Sequence, residues 1–185
     1  MKKLIFSLAA LVAMTACTPS ETTSQEPAAT TTAQKVETVA EAPSIDPALA
    51  LQNMQEVQAF LKECGAFFIA TADADQPRVR PFGVSEIIDG RFYIMTGKVK
   101  DVYKQIAANG KFEICALKPS GSEWMRLSGV LVIDETLATK EEFLNRNEGL
   151  KAMYKADDTN MALLQVTCAT ARFCSFAAPE RKVNF

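Results

Sequence analysis

The chain reads as a mainly β fold with flanking helices, a small six-stranded antiparallel barrel. Three observations predict it. Six apolar or alternating runs of strand length follow one another between Ala66 and Phe176. Most are joined by hairpin or turn signals, such as Asp89-Gly90 and Pro119-Ser120-Gly121-Ser122. Helical periodicity is confined to short stretches at the start, middle and late positions, so the helices flank a sheet rather than alternate with its strands.

The first element is expected outside that fold. Met1-Lys2-Lys3 is a basic start, Leu4 to Met14 is apolar, and Thr15-Ala16-Cys17 closes the run with small residues. Residues 1–16 have the pattern of a secretory signal, too short for a membrane span. A cysteine directly after the small residues resembles the lipobox of bacterial lipoproteins, with Met14 where leucine is commoner. That resemblance implies lipidation of Cys17 and anchoring in the bacterial cell envelope, facing periplasm or exterior. Two or three acyl chains would hold the protein there, since one alone is marginal. The other reading is an ordinary signal peptide with an incidental cysteine. Residues 17–48 are rich in Thr, Ala, Glu, Pro and Ser, with no aromatic residue and no glycine. They cannot bury enough apolar surface to offset chain entropy, and a disordered tether is expected. Residues 49–185 then form one domain of ordinary size.

Within that domain, Met54, Val57, Phe60 and Leu61 have the spacing of an amphipathic helix over Gln52 to Cys64, stopped by Gly65. Ala66 to Thr71 is the first strand, and Ala72 to Pro77 turns the chain. Arg78 to Ile88 is the second strand, and Asp89-Gly90 leads by a hairpin into Arg91 to Thr96. Asp101 to Ala108 is a helix with Val102 and Ile106 on one face, ended by Asn109-Gly110. Lys111 to Lys118 and Glu123 to Asp134 are the fourth and fifth strands, the latter with a bend expected at Gly129. Thr139-Lys140-Glu141-Glu142 has the form of a capping box opening a helix. A short helix is expected around Leu150 to Tyr154, then a long final strand from Met161 to Phe176, then a surface tail.

Composition removes several function classes. The formal charge is −2, so no basic field favours nucleic acid. The chain has no histidine, which excludes His-based triads, His-ligated zinc or haem, and His acid–base catalysis. No metal site is expected. Cys64, Cys115, Cys168 and Cys174 have no C-x-x-C spacing. Each sits in an apolar pattern, and buried free thiols are expected.

What remains is a cluster of cations. Arg78 and Arg80 share one face of a strand, and Pro77 and Pro81 bracket them at an irregular edge. The following strand ends in Thr96-Gly97-Lys98-Val99-Lys100, just before the helix at Asp101. Strand arginines, lysines and a helix N-terminus together suit a phosphate. A solvated strand face carrying charges is the alternative that the residues leave open.

From about Met54 to Phe176 the ordered set of motifs resembles the pyridoxamine 5′-phosphate oxidase-like family of FMN-binding split barrels. The set comprises the Phe67-Phe68-Ile69-Ala70-Thr71 strand, Gln76 to Pro81, the Asp89-Gly90 hairpin, Tyr93 to Lys98, the helix from Asp101, and Trp124 to Gly129. The resemblance implies a six-stranded split barrel that binds FMN. Arg78, Val79, Arg80 and Pro81 would run beside the flavin and its phosphate. Met95 and Thr96 would border the ring, with Lys98 and Lys100 at the phosphate. It also implies a homodimer in which Glu123, Trp124 and Arg126 complete the partner's site. Trp124, the single tryptophan, equally suits core or interface packing.

A true pyridoxamine phosphate oxidase is longer and uses C-terminal Arg and His residues, whereas this chain has no histidine and ends in a short tail. The haem-degrading and nitroimidazole-reducing relatives also often depend on histidine. The expectation is therefore an FMN-dependent oxidoreductase of some other small molecule, with catalytic residues unknown. A non-catalytic binder of flavin or another anion is the alternative, since a chain exported unfolded would have to meet FMN outside the inner membrane.

Overall fold

The structure, a computed structural model, describes residues 45–185. The expected signal, Cys17 and most of the expected tether lie outside the described residues. Helix α1 (Pro47–Cys64) starts five residues earlier than apolar periodicity places it. Its start is set by capping: the Asp46 side chain accepts from the Ala48 N–H at 3.0 Å, and Pro47 occupies the first turn, where no N–H is needed. Gly65, at φ 73°, ends it.

Eight strands follow rather than six: β1 (Phe67–Asp73), β2 (Gln76–Phe82), β3 (Ser85–Ile88), β4 (Arg91–Gly97), β5 (Lys111–Leu117), β6 (Glu123–Asp134), β7 (Met161–Ser175) and β8 (Arg181–Asn184). Helix α2 (Asp101–Ala108) lies between β4 and β5, and α3 (Leu137–Arg146) follows β6. The class is the one expected, an antiparallel β structure with three helices, but the strand count differs for two reasons. The expected second strand is broken at Gly83 into β2 and β3. The expected tail instead pairs with β7 from Thr170↔Asn184 to Phe173↔Arg181. Helix α3 begins at Leu137 after Thr136, with no side-chain cap, so the expected capping box at Thr139 does not form.

The strand order is β2-β1-β5-β6-β7-β4-β3, with β8 on β7. The two ends of this path, β2 and β3, are joined by Gly83 and Val84 alone. Three peptide links reach at most about 11 Å, so the sheet curls until its edges face each other. β2 and β3 do not pair, which leaves a split in the barrel wall.

β7 carries the curvature. It pairs with β4 through residues 161–166 and with β6 along most of its length. The β6 register shifts between Ser128 and Val130, opposite Cys168 at φ 50°. The bend expected at Gly129 is this bulge. The barrel interior is filled by Phe67, Ile69, Phe92, Ile94, Ile114, Met125, Leu127 and Leu164, all buried. A second cluster, with Tyr93, Phe143, Met161 and Leu163, seats α3.

The thiols are less buried than expected. Cys115 and Cys168 are exposed, and Cys64 and Cys174 are half-buried. β5 alternates inward Phe112, Ile114 and Ala116 with outward Cys115 and Leu117. The apolar run Ile114 to Leu117 concealed that alternation.

Candidate functional site

The site lies at the split. A cavity of about 270 Å³ is walled by β2 and its exit (Arg80 to Val84), by Met95 and Thr96 at the end of β4, and by Lys100 and Val102 at the start of α2. Leu150, Met153 and Tyr154 cover it from the segment after α3. A neighbouring cavity, with Arg78, Val79, Asp101 and Gln105, shares Arg80, Lys100 and Val102 with the first.

Two cations on this wall have no carboxylate partner among the described residues. Arg80 bonds only neutral acceptors: Nη1 donates to Thr71 Oγ1 at 2.7 Å, to Arg78 O at 3.1 Å and weakly to Ile69 O at 3.4 Å, and Nη2 donates to Gln105 Oε1 at 2.6 Å. Burial, followed by the nearby Arg78 charge, lowers the Arg80 pKa from its ordinary value, as expected where no anion offsets the guanidinium. Lys100 is the N-cap residue of α2, which has no side-chain cap. The Tyr103 N–H bonds the Lys100 carbonyl at 3.0 Å, while the Asp101 and Val102 N–H groups have no partner among the described residues and, with the positive end of the helix dipole, stay open to an anion.

Thr96 adds a third observation. It lines the cavity and is buried, and its Oγ1 has no hydrogen-bond partner among the described residues. An orphaned hydroxyl costs stability unless something else bonds to it.

Of the residues expected at the site, the split thus gathers Arg80, Pro81, Met95, Thr96 and Lys100. Arg78 and Val79 line the adjoining cavity, and Arg78 is paired with Asp73 at 3.2 Å. Lys98 lines neither cavity and bonds Glu135 instead. Glu123 and Trp124 also lie apart. Glu123 pairs with Lys118 at 2.8 Å in a different cavity beside α1, and Trp124 packs on Phe176 with ring centroids 5.1 Å apart. Arg126 pairs with Glu113.

Sequence reasoning missed Gln105, Thr71 and the Leu150–Tyr154 cover. Gln105 had a signal. It lies in the buried stripe Val102, Gln105, Ile106 of α2, where a polar side chain needs a bonded partner.

Residues 54–175 match the family described as pyridoxamine 5′-phosphate oxidase. The chain belongs to the pyridoxamine 5′-phosphate oxidase family. Among solved structures, it is similar to a NimC/NimA family protein from Clostridium acetobutylicum, with 37% identity and a TM-score of 0.73 over 75% of this chain and 96% of that one. It shares its fold with the general stress FMN/FAD-binding protein of Xanthomonas citri, at 14% identity and a TM-score of 0.53, covering 72% and 93% of the two chains. It also shares it with a heme-binding protein of Mycobacterium smegmatis, at 11% identity and a TM-score of 0.53, covering 77% and 60%. No match was found among curated proteins. In this pyridoxamine 5′-phosphate oxidase-family barrel, the lining of the split combines two cations that have no carboxylate partner among the described residues with apolar side chains, a set whose chemistry suits a phosphate-bearing ligand.

Proposed function

We propose that the chain is an FMN-binding flavoprotein, a flavin-dependent oxidoreductase acting on a small molecule, tethered to a bacterial membrane through a lipid on Cys17. The observation that carries this reading is the meeting of Arg80, Lys100 and the uncapped start of α2 beside the orphaned Thr96 hydroxyl. When bound, the flavin supplies hydride transfer. Arg80, Lys100 and the α2 N–H groups hold its phosphate. Thr96 would offer one hydrogen bond, Pro81, Val84 and Met95 would offer the ring apolar surface, and Leu150, Met153 and Tyr154 would restrict water. The test is an absorbance spectrum of the purified protein with and without added FMN. Bound flavin near one per subunit is expected, and a colourless protein that takes up none would sink the reading.

A homodimer belongs to the same proposal, with Glu123 and Trp124 reaching the partner's site. Its support is the outer face of the barrel, where Phe68 is 52%, Leu117 54% and Phe176 81% exposed around Trp124. Paired residues place Phe68 beside Cys115, and Leu117 beside Trp124, on this one face. Sedimentation at several concentrations tests it.

One observation favours the second reading, a non-catalytic flavin or anion binder. Apart from its two cations, the split cavity is lined, among the described residues, by no acid–base group except the Tyr154 hydroxyl. Nicotinamide donors added to the flavin-loaded protein separate the two readings: bleaching of the flavin band supports the oxidoreductase, and an unchanged band supports the binder.

A further inference from the structure

Gln105 is 8% exposed and sits among apolar residues on α2. Burying an amide there is unfavourable unless it is bonded, and its Oε1 accepts two bonds, from Thr71 Oγ1 at 2.7 Å and from Arg80 Nη2 at 2.6 Å. Thr71 Oγ1 in turn accepts from Arg80 Nη1 at 2.7 Å. The three side chains close a ring. Its direction is fixed by chemistry, because a guanidinium only donates: Nη1–H donates a hydrogen bond to the hydroxyl oxygen, the hydroxyl O–H donates to Oε1, and Nη2–H donates to the same Oε1.

The ring engages the Nη1–Nη2 end of the guanidinium. Nε has no partner among the described residues, so the Nε–Nη2 edge keeps donors for a bidentate oxyanion. The holders are neutral. A carboxylate could clamp the same end, but it would cancel the charge that a phosphate needs.

We propose that Gln105 is a positioning residue that aims Arg80 at a phosphate monoester while leaving its charge uncompensated, and so makes the site prefer a phosphorylated ligand to its neutral parent. The ligand assignment rests on the flavin reading above; the ring does not.

The test compares FMN with riboflavin on the wild-type protein, Q105E and Q105M, by fluorescence titration. Q105E keeps an oxygen where Oε1 lies, so both bonds and the fold are retained, but it adds a negative charge beside Arg80. FMN affinity is expected to fall by at least about tenfold in Q105E, with riboflavin affinity within about twofold of wild type. Q105M, which lacks the acceptor, is expected to lose FMN affinity without losing riboflavin. Equal FMN affinity in wild type and Q105E overturns the proposal, and so does an equal loss of both ligands, which marks a merely structural role. If the wild type binds no flavin, the flavin reading falls and inorganic phosphate becomes the probe. A phosphate-induced rise in melting temperature that Q105E abolishes upholds the role of Gln105. No rise in the wild type, or the same rise in both, overturns it.

Discussion

Lys98 Nζ donates to Glu135 Oε2 at 2.7 Å, and the same oxygen accepts from Lys140 Nζ at 2.6 Å. Lys98 is thereby tied to the start of α3, while Lys100, two residues on, has no carboxylate partner among the described residues and lines the split. The two lysines are expected to behave differently. K100A removes a charged contact worth about 1.5–3 kcal/mol and weakens FMN binding by roughly tenfold or more. K98A leaves FMN affinity within about twofold, since its charge is already offset. Parallel titrations of the two variants check the contrast. Equal losses would place Lys98 at the ligand after all.

Glu135 holds two ammonium groups, one of them on Lys140, which is 4% exposed. Burial pushes the Glu135 carboxyl pKa up, but the hydrogen bonds from Lys140 and Lys98 outweigh it and hold the group below its ordinary value. A carboxyl that ionises at lower pH folded than unfolded stabilises the fold fully above its unfolded pKa, about 4.3. That contribution is lost as pH falls through the folded value. E135Q is therefore expected to destabilise the protein by about 1 kcal/mol at neutral pH, a modest amount because the Glu135 side chain is 47% exposed and solvent screens its charge, while the buried Lys140 ammonium keeps an oxygen but loses its counter-charge. The gap between variant and wild type should shrink below about pH 4. Urea unfolding at several pH values measures both effects.

What the sequence disclosed was mostly local. Asp89-Gly90 specified its hairpin because both residues must take positive φ, and they do, at 50° and 70°. The apolar stripe of α2 was likewise within reach of periodicity, whereas the alternation of β5 was hidden by its apolar run, so Cys115 turned out exposed. Gly83 did not announce itself as a break, because the run through Val84 to Ile88 continues the same β pattern. The pairing of β8 depends on β7 presenting a free edge, which no nearby residue signals. At the site, Arg80 and Lys100 were legible as cations near a helix start. Lys98 could not be told from Lys100, since its partner lies 37 residues on. Leu150, Met153 and Tyr154 reach the cavity only because α3 folds back on its own apolar cluster.

The β6–β7 bulge makes Gly129 intolerant of any side chain. A Cβ there would lie 2.7 Å from Thr167 O and 3.2 Å from Cys168 O. Both are backbone atoms, so no rotamer change can relieve the contact. G129A is expected to cost about 1–3 kcal/mol. G149A is the control, with nothing within 4 Å of the added carbon, and should stay within about 0.5 kcal/mol of wild type. Equilibrium unfolding of both variants decides it, and a neutral G129A would mean that the bulge is free to flatten.

Thr96 offers the sharpest separation of ligand from fold. Its buried Oγ1 lacks a partner among the described residues, a deficit of about 1–3 kcal/mol in the ligand-free protein. T96V replaces the hydroxyl with a methyl of similar shape and removes that deficit. The ligand-free variant should therefore melt higher than wild type, by roughly 2–4 °C for each kcal/mol recovered in a domain of this size. If FMN bonds the hydroxyl when it binds, the variant loses that bond, so the rise in melting temperature caused by FMN should be smaller than in wild type. The two effects have opposite signs, which a general loosening of the fold cannot produce. A T96V protein that melts lower without ligand, or that gains as much from FMN as wild type does, would show that the hydroxyl is not waiting for a ligand.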